Sequence, residues 1–70
     1  MNFWDMITEN IKRIVDSSGR KKIQIARDAG IASQTMSDFY YGKSHPSLET
    51  LKKLCQVLDC DYKDILGDLN

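Results

Sequence analysis

Apolar residues recur at steps of three and four along most of the chain, which is the spacing of a buried stripe on an α-helix. No segment alternates apolar and polar residues in the manner of a strand. The pattern therefore predicts an all-α fold of five helices. Its predicted stripes are Trp4, Ile7, Ile11 and Ile14 in the first helix, Ile25, Ala26 and Ala29 in the second, Met36 and Phe39 in the third, Leu48, Leu51, Leu54 and Leu58 in the fourth, and Tyr62, Ile65 and Leu66 in the fifth.

Residues that start and stop helices separate these segments. The second and third helices are short and only three or four residues apart, so we expect a helix-turn-helix pair at about residues 21–41. The length predicts one compact domain that comprises residues 1–70. The predicted N-caps are Asn2, Ser47 and Asp61, and the predicted breaks are Gly19, Gly30, Gly42 and Pro46.

The charge balance depends on which part of the chain is counted. Ten basic and ten acidic residues give a net charge of zero, which argues against a general affinity for nucleic acid. Residues 20–53, however, hold seven basic and three acidic residues, whereas residues 1–19 and 54–70 have net charges of −1 and −3. A basic centre between acidic ends can present one positive face, and a solvated helix surface explains the same distribution.

Few residues suggest covalent or metal chemistry. Cys55 and Cys60 lie five residues apart across the end of the fourth helix, a separation that suits neither a disulfide nor a chelating pair, so we expect free, structural thiols. The only histidine, His45, lies in a turn with no partner motif. We therefore expect no metal, no cofactor, no small-molecule ligand and no enzymatic activity. The chain has no apolar run of membrane length and no secretory leader pattern, so we expect a cytoplasmic protein without a membrane partner.

The third predicted helix has a polar face that carries neither lysine nor arginine. At about 100° per residue, its outer side collects short amide, hydroxyl and carboxylate side chains. A glutamine amide can bind adenine, a serine hydroxyl can serve several bases, and an aspartate can accept from the cytosine amino group. This composition suits the reading of base edges; the alternative is a solvated surface, although such surfaces usually carry more lysine and glutamate. The outer residues are Gln34, Ser37, Asp38 and Tyr41.

A longer succession of motifs runs from Ile11 to Leu66 without a gap. It comprises the pair Ile25-Ala26 before Gly30-Ile31, the apolar Met36 and Phe39, the turn Gly42-Lys43, the stretch "HPSLETL", Leu58 and the closing "DYKDIL". This succession resembles the phage repressor and Cro type of helix-turn-helix domain, often called the XRE family. The resemblance implies five helices, of which the third enters the DNA major groove while the second crosses the backbone, usually in a homodimer on an inverted repeat.

The resemblance also implies roles for individual residues. A phosphate contact from Lys22 agrees with the physics, because a helix N-terminus attracts phosphate and the ammonium adds a full charge. Ser33 could instead cap its helix, and the lysines could be merely solvated. Asp38 could be a cap, a surface charge or a specificity element, because a carboxylate that faces phosphates is repelled. The implied base contacts are Ser33, Gln34, Ser37 and Asp38, and the implied phosphate contacts are Lys22, Lys43, Thr35 and Tyr41.

Two positions depart from the family pattern. Lys21 and Lys22 occur where the second helix usually opens with a small polar cap and a glutamine, which exchanges hydrogen bonding for charge. Tyr40 occurs where many members carry a glutamate, so we expect packing in place of a charged pair within the domain.

Together these observations predict a regulator of transcription that binds double-stranded DNA in a sequence-specific manner. We expect a self-standing repressor that acts by occupying its operator and forms a homodimer, with apolar residues near the two ends as the dimer contacts: Phe3, Leu66 and Leu69. The alternative is a protein-interaction module, such as an antitoxin or an adaptor, that keeps the fold with weak or no DNA binding. The zero net charge and Asp38 favour this alternative.

Overall fold

The computed structural model describes residues 2–67, and this range contains five α-helices and no strand. The all-α prediction is therefore confirmed. The expected dimer contact Leu69 lies outside the described residues. Helix α2 packs against α3 and α4, and α1 packs against α3 and α5. The helices are α1 (Phe3–Ser18), α2 (Lys22–Ala29), α3 (Ser33–Tyr41), α4 (Leu48–Leu58) and α5 (Tyr62–Leu66).

The ends of the helices follow the predicted caps. The Asn2 and Ser47 side chains accept the backbone N–H three residues later at 2.8 Å and 3.3 Å, as N-caps do. Asp61 occupies the N-cap of α5, as predicted, and forms a capping box with Asp64, whose carboxylate accepts the Asp61 N–H at 2.9 Å.

The core lies where the four longer helices and Ile65 of α5 meet. Helix α1 buries Val15, while Ile14 is only partly buried against the core. The prediction that Trp4, Leu48 and Tyr62 belong to the buried stripes is wrong, because their side chains are 52%, 77% and 45% exposed. All three lie in the first turn of their helices, which extends past the buried stretch. The buried residues are Ile7, Ile11, Val15, Ile25, Ala26, Ala29, Met36, Phe39, Leu51, Leu54, Cys55 and Ile65.

Polar contacts between helices fix α2 and α5. The Arg20 guanidinium pairs with Asp28 of α2 and also donates to the Val57 carbonyl of α4 at 2.9 Å. The Asn10 side chain of α1 donates to the Ile65 carbonyl at 2.8 Å, where α5 ends. These contacts tie the segment that leads into α2 to both α2 and α4, and they tie α1 to the end of α5.

The turns that close α2 and α3 allow a matched pair of substitutions. Gly30 and Gly42 have φ of +71° and +77°, but a Cβ would meet open space at Gly30 and would lie 3.2 Å from Thr8 Cγ2 at Gly42. We expect Gly30→Ala to lower the free energy of unfolding by about 1 kcal/mol from backbone strain alone. Gly42→Ala should cost at least about 2 kcal/mol, because Thr8 must also shift. Urea unfolding measures both variants, and equal losses would show that the Thr8 contact contributes nothing.

Candidate functional site

Helix α3 has the two faces that its sequence predicted. Met36 and Phe39 are buried, with exposures of 0% and 5%. On the other side Ser33 and Gln34 are exposed, and Ser37 lies half-buried one turn later. The N-cap is Ala32, which provides no side-chain bond. The alternative role of Ser33 as the helix cap is therefore wrong, and its hydroxyl lies at the exposed first residue of the helix.

The aspartate on this face has a specific partner. The Gln34 amide nitrogen donates to the Asp38 carboxylate at 2.9 Å, across one turn of α3. The Asp38 backbone carbonyl accepts the Lys43 N–H at 2.8 Å and so closes the helix. Asp38 is therefore not a helix cap, and its carboxylate is not an isolated surface charge.

Lys22, the first residue of α2, lies against two aromatic rings of α3. Its ammonium nitrogen is 4.2 Å from the centroid of the Tyr40 ring and 5.9 Å from that of Tyr41. A cation over the face of a tyrosine ring is attracted to the ring quadrupole. The contact joins the start of α2 to the end of α3 and orients Lys22 along the surface between them.

Tyr40 is itself fixed from α1. Its hydroxyl donates to the Asp16 carboxylate at 2.7 Å. This hydrogen bond, together with desolvation, raises the pKa of Tyr40 above its ordinary value of 10.0. The expected packing at Tyr40 is thus accompanied by polar contacts with Asp16 and Lys22. The departure of Tyr40 from the family pattern was the one feature of the sequence that could have indicated these contacts of Tyr40 with Asp16 and Lys22.

The start of α2 is open to an anion. Lys21 is the N-cap and offers no side-chain bond to the first N–H groups of the helix, while the Gln24 side chain accepts the Lys21 N–H at 3.2 Å. Open N–H groups and the helix dipole attract phosphate oxygens. Lys22 therefore lies at an anion-accepting helix end. The neighbouring Ile23 is 62% exposed, and the sequence pattern had not indicated an exposed apolar residue here.

The other predicted phosphate contacts lie at the end of α3 or beside its polar face. Tyr41 is 61% exposed, and its ring is edge-on to that of Tyr40 at 5.0 Å between centroids. Lys43 is exposed in the following turn, and Thr35 is half-buried within α3. The structure thus gathers Lys22 and Tyr41 around Tyr40.

A second aromatic contact holds the loop after α3. The ring of His45 lies 4.8 Å from that of Trp4, and its Nε2 is 3.4 Å from the Thr8 hydroxyl. The loop that carries Lys43 is therefore attached to α1. These residues are 37 or more positions apart in the chain, so the sequence pattern gave no indication of the contact.

The two cysteines are free, as predicted, but they are also neighbours. Asp59 has φ of +54° and lets the Cys60 N–H donate to the Cys55 carbonyl at 3.0 Å. The two thiols also lie within hydrogen-bonding reach of each other. The sequence spacing had not predicted this proximity. Burial raises the pKa of both thiols, that of Cys60 from 9.0 to about 12.

The shifted pKa of Cys60 predicts slow alkylation. A rise from 9.0 to about 12 lowers the thiolate fraction at pH 8 by roughly a thousandfold, and thiolate is the reacting species. Iodoacetamide should therefore modify Cys60 of the folded protein about a thousandfold more slowly than the urea-unfolded chain at pH 8. Mass spectrometry over time measures both rates, and equal rates would contradict the shift.

Among residues 2–67 no group of three histidine, cysteine or acidic side chains is arranged to hold a metal ion. Nor does any helix in that range have the length and apolar character that crossing a membrane requires. No solved structure gives a significant match to this chain.

Two matches with known proteins are significant. A family model of Cro/C1-type helix-turn-helix DNA-binding domains matches residues 10–69. The chain is also 32% identical over 63 residues to the antitoxin PezA of Streptococcus pneumoniae serotype 4, an alignment that covers 90% of this chain. The same alignment covers 40% of PezA, so the chain spans less than half the length of this relative.

Proposed function

This chain belongs to the Cro/C1-type helix-turn-helix DNA-binding domains, and on that basis we propose that it is a sequence-specific regulator of transcription. It binds double-stranded DNA with α3 in the major groove and represses by occupying its operator. The observation that carries this proposal is the exposed polar surface of α3, which begins at Ser33 and Gln34 and is bordered by Lys22. Short polar groups can read base edges there while charge at the border binds the backbone.

The proposed roles of the individual residues follow from their positions and charges. Gln34 and Ser33, at the start of α3, enter the groove first and contact base edges, with Ser37 one turn later. Lys22 and Lys43 contact phosphates on either side of the groove. Their positions at a helix N-terminus and in an exposed turn support this role. The mechanism is occupancy, without a catalytic step.

We also propose that the chain acts as a homodimer. One domain of this size reads few base pairs, and two copies of α3 about 34 Å apart would reach successive major grooves on one side of the duplex. Phe3 is 43% exposed and available for such a contact, whereas Leu66 is partly buried against the core. Phe3 is therefore the better candidate, and sedimentation of wild type and Phe3→Ser tests it: an unchanged association state would exclude it.

Gln34→Ala tests the reading role directly. A bidentate contact between a glutamine and adenine discriminates by about 1–3 kcal/mol, so this variant should lose its preference at one base position and retain it elsewhere. Gln56→Ala is the matched control, because Gln56 is an exposed glutamine on α4. Selection from random duplexes followed by sequencing measures the base preferences of all three proteins. A uniform loss of affinity on every sequence would remove Gln34 from the reading role.

A second candidate function is the DNA-binding part of an antitoxin. The observation that favours it is the 32% identity with the antitoxin PezA, in an alignment that covers 40% of the length of PezA. The two functions are compatible, since a chain can repress a promoter and also neutralise a toxin. Depletion of the protein from its host distinguishes them: growth arrest on depletion supports an antitoxin, whereas normal growth with altered transcription supports a regulator alone.

A further inference from the structure

We propose that Asp38 determines specificity through Gln34, as a positioning residue rather than a base contact. Its carboxylate fixes which way the Gln34 amide faces and thereby makes α3 prefer adenine to guanine at the base that Gln34 meets. This inference rests on the proposed function, because it concerns how the same surface discriminates between bases.

The chemistry of the hydrogen bond sets the orientation of the amide. The Gln34 nitrogen lies 2.9 Å from the Asp38 carboxylate, which as an anion can only accept. If the amide turned by 180°, its carbonyl oxygen would face the carboxylate, and two acceptors would repel each other. The contact therefore holds the nitrogen toward Asp38 and leaves the carbonyl oxygen and one N–H for a ligand.

The remaining groups match one purine better than the other. Adenine presents the N7 acceptor and the N6 donor in the major groove, which one N–H and one carbonyl oxygen can pair with. Guanine presents two acceptors, N7 and O6, and requires two donors. An amide that has given one N–H to Asp38 has only one donor left, so the held orientation favours adenine. A free glutamine could rotate and serve either base.

Asp38 is well suited to hold this orientation. Its backbone carbonyl accepts the N–H of Lys43 at 2.8 Å, and the next residue, Phe39, is buried with 5% exposure. The carboxylate thus projects from a fixed part of α3. Within residues 2–67 the one ion pair joins Arg20 to Asp28, so no described cation draws the Asp38 carboxylate away from Gln34.

The first arm of the test measures base preference. Selection with wild type and Gln34→Ala identifies the base position that Gln34 reads, and fluorescence anisotropy then compares duplexes with adenine or guanine there. Gln34→Ala should lower the adenine-to-guanine affinity ratio by about 5- to 150-fold. Asp38→Ala should lower the same ratio at least about twofold. The double variant should show no further loss beyond Gln34→Ala.

The ratio of the affinities for the adenine and guanine duplexes separates the effect of the Gln34 amide orientation from the effect of the Asp38 charge. Asp38→Ala also removes a negative charge, which strengthens binding to every duplex alike but leaves the ratio unchanged. Glu9→Gln, on the exposed side of α1, removes a charge without touching Gln34 and should leave the ratio at its wild-type value. A ratio preserved in Asp38→Ala, a loss at a different base position, or an equal loss in Glu9→Gln would each overturn the inference.

The second arm needs no DNA. In the free protein, nuclear magnetic resonance should show the Gln34 side-chain amide proton that is bound to the Asp38 carboxylate displaced downfield from the position of an unbonded glutamine amide proton, and Asp38→Ala should return it to that position. Unchanged signals would overturn the inference without affecting the proposed function. If the signals change as expected but wild type selects no motif, the proposed function fails, and the inference about base preference fails with it.

Discussion

Met36→Ala is expected to lower the free energy of unfolding by about 2–5 kcal/mol. Met36 has 0% exposure and lies on the inner face of α3, so the substitution leaves a cavity beneath the polar surface. A 70-residue domain has roughly 4–10 kcal/mol of stability in total, so this loss is a large fraction of it. We expect DNA binding to fail together with the fold, although Met36 contacts no DNA in the proposed complex.

Urea unfolding followed by circular dichroism measures the loss. Ser37→Ala is the matched control, because Ser37 is the next residue along the same helix and lies half-buried on the polar face. Its effect on stability should stay within about 0.5 kcal/mol. If Met36→Ala proved as stable as Ser37→Ala, the inner face of α3 would be wrongly assigned, and with it the face that is offered to DNA.

The double variant Lys22→Ala, Lys43→Ala is expected to lose about a hundredfold in affinity for every duplex at 0.1 M salt. Each lysine that neutralises a phosphate releases a counterion and contributes a slope of about −0.9 to log affinity against log salt concentration. Removing both contacts should therefore make the slope shallower by about 1.8. Titrations by anisotropy between 50 and 200 mM salt measure the slope and the affinity together.

The control for this pair is a lysine on the acidic end of the chain. Lys63 is exposed on α5 between Asp61 and Asp64, and Lys63→Ala should leave the slope unchanged. If Lys63→Ala reduced the slope by half as much as the double variant did, the overall charge, rather than defined phosphate contacts, would govern binding. An unchanged slope in the double variant would remove Lys22 and Lys43 from the interface.

Much of the fold was predictable from the sequence, and the errors share a cause. The periodic apolar positions predicted five helices and most of the core, because burial of one face is what makes a short helix stable. Trp4, Leu48 and Tyr62 were assigned to the stripes, yet each lies in the first turn of its helix and is exposed. Periodicity tells which face of a helix is apolar, but not how far the neighbouring helix extends along it.

The candidate site was predictable in its faces but not in its contacts. The four-residue spacing of Gln34 and Asp38 is that of side-chain neighbours on a helix, so their bond could have been anticipated. The contact of Lys22 with Tyr40 could not, because it depends on how α2 and α3 are placed relative to each other. The attachment of the loop at His45 to Trp4 depends in the same way on the assembled fold.

The polar surface of α3 is proposed to read specific bases in double-stranded DNA. Selection of random duplexes by the wild-type protein at moderate salt tests it most directly, because one experiment reports binding, the preferred sequence and the spacing of half-sites. We predict an enriched inverted repeat with half-sites about one helical turn apart. Recovery of no enriched sequence, with no mobility shift of any duplex at low salt, would contradict the claim.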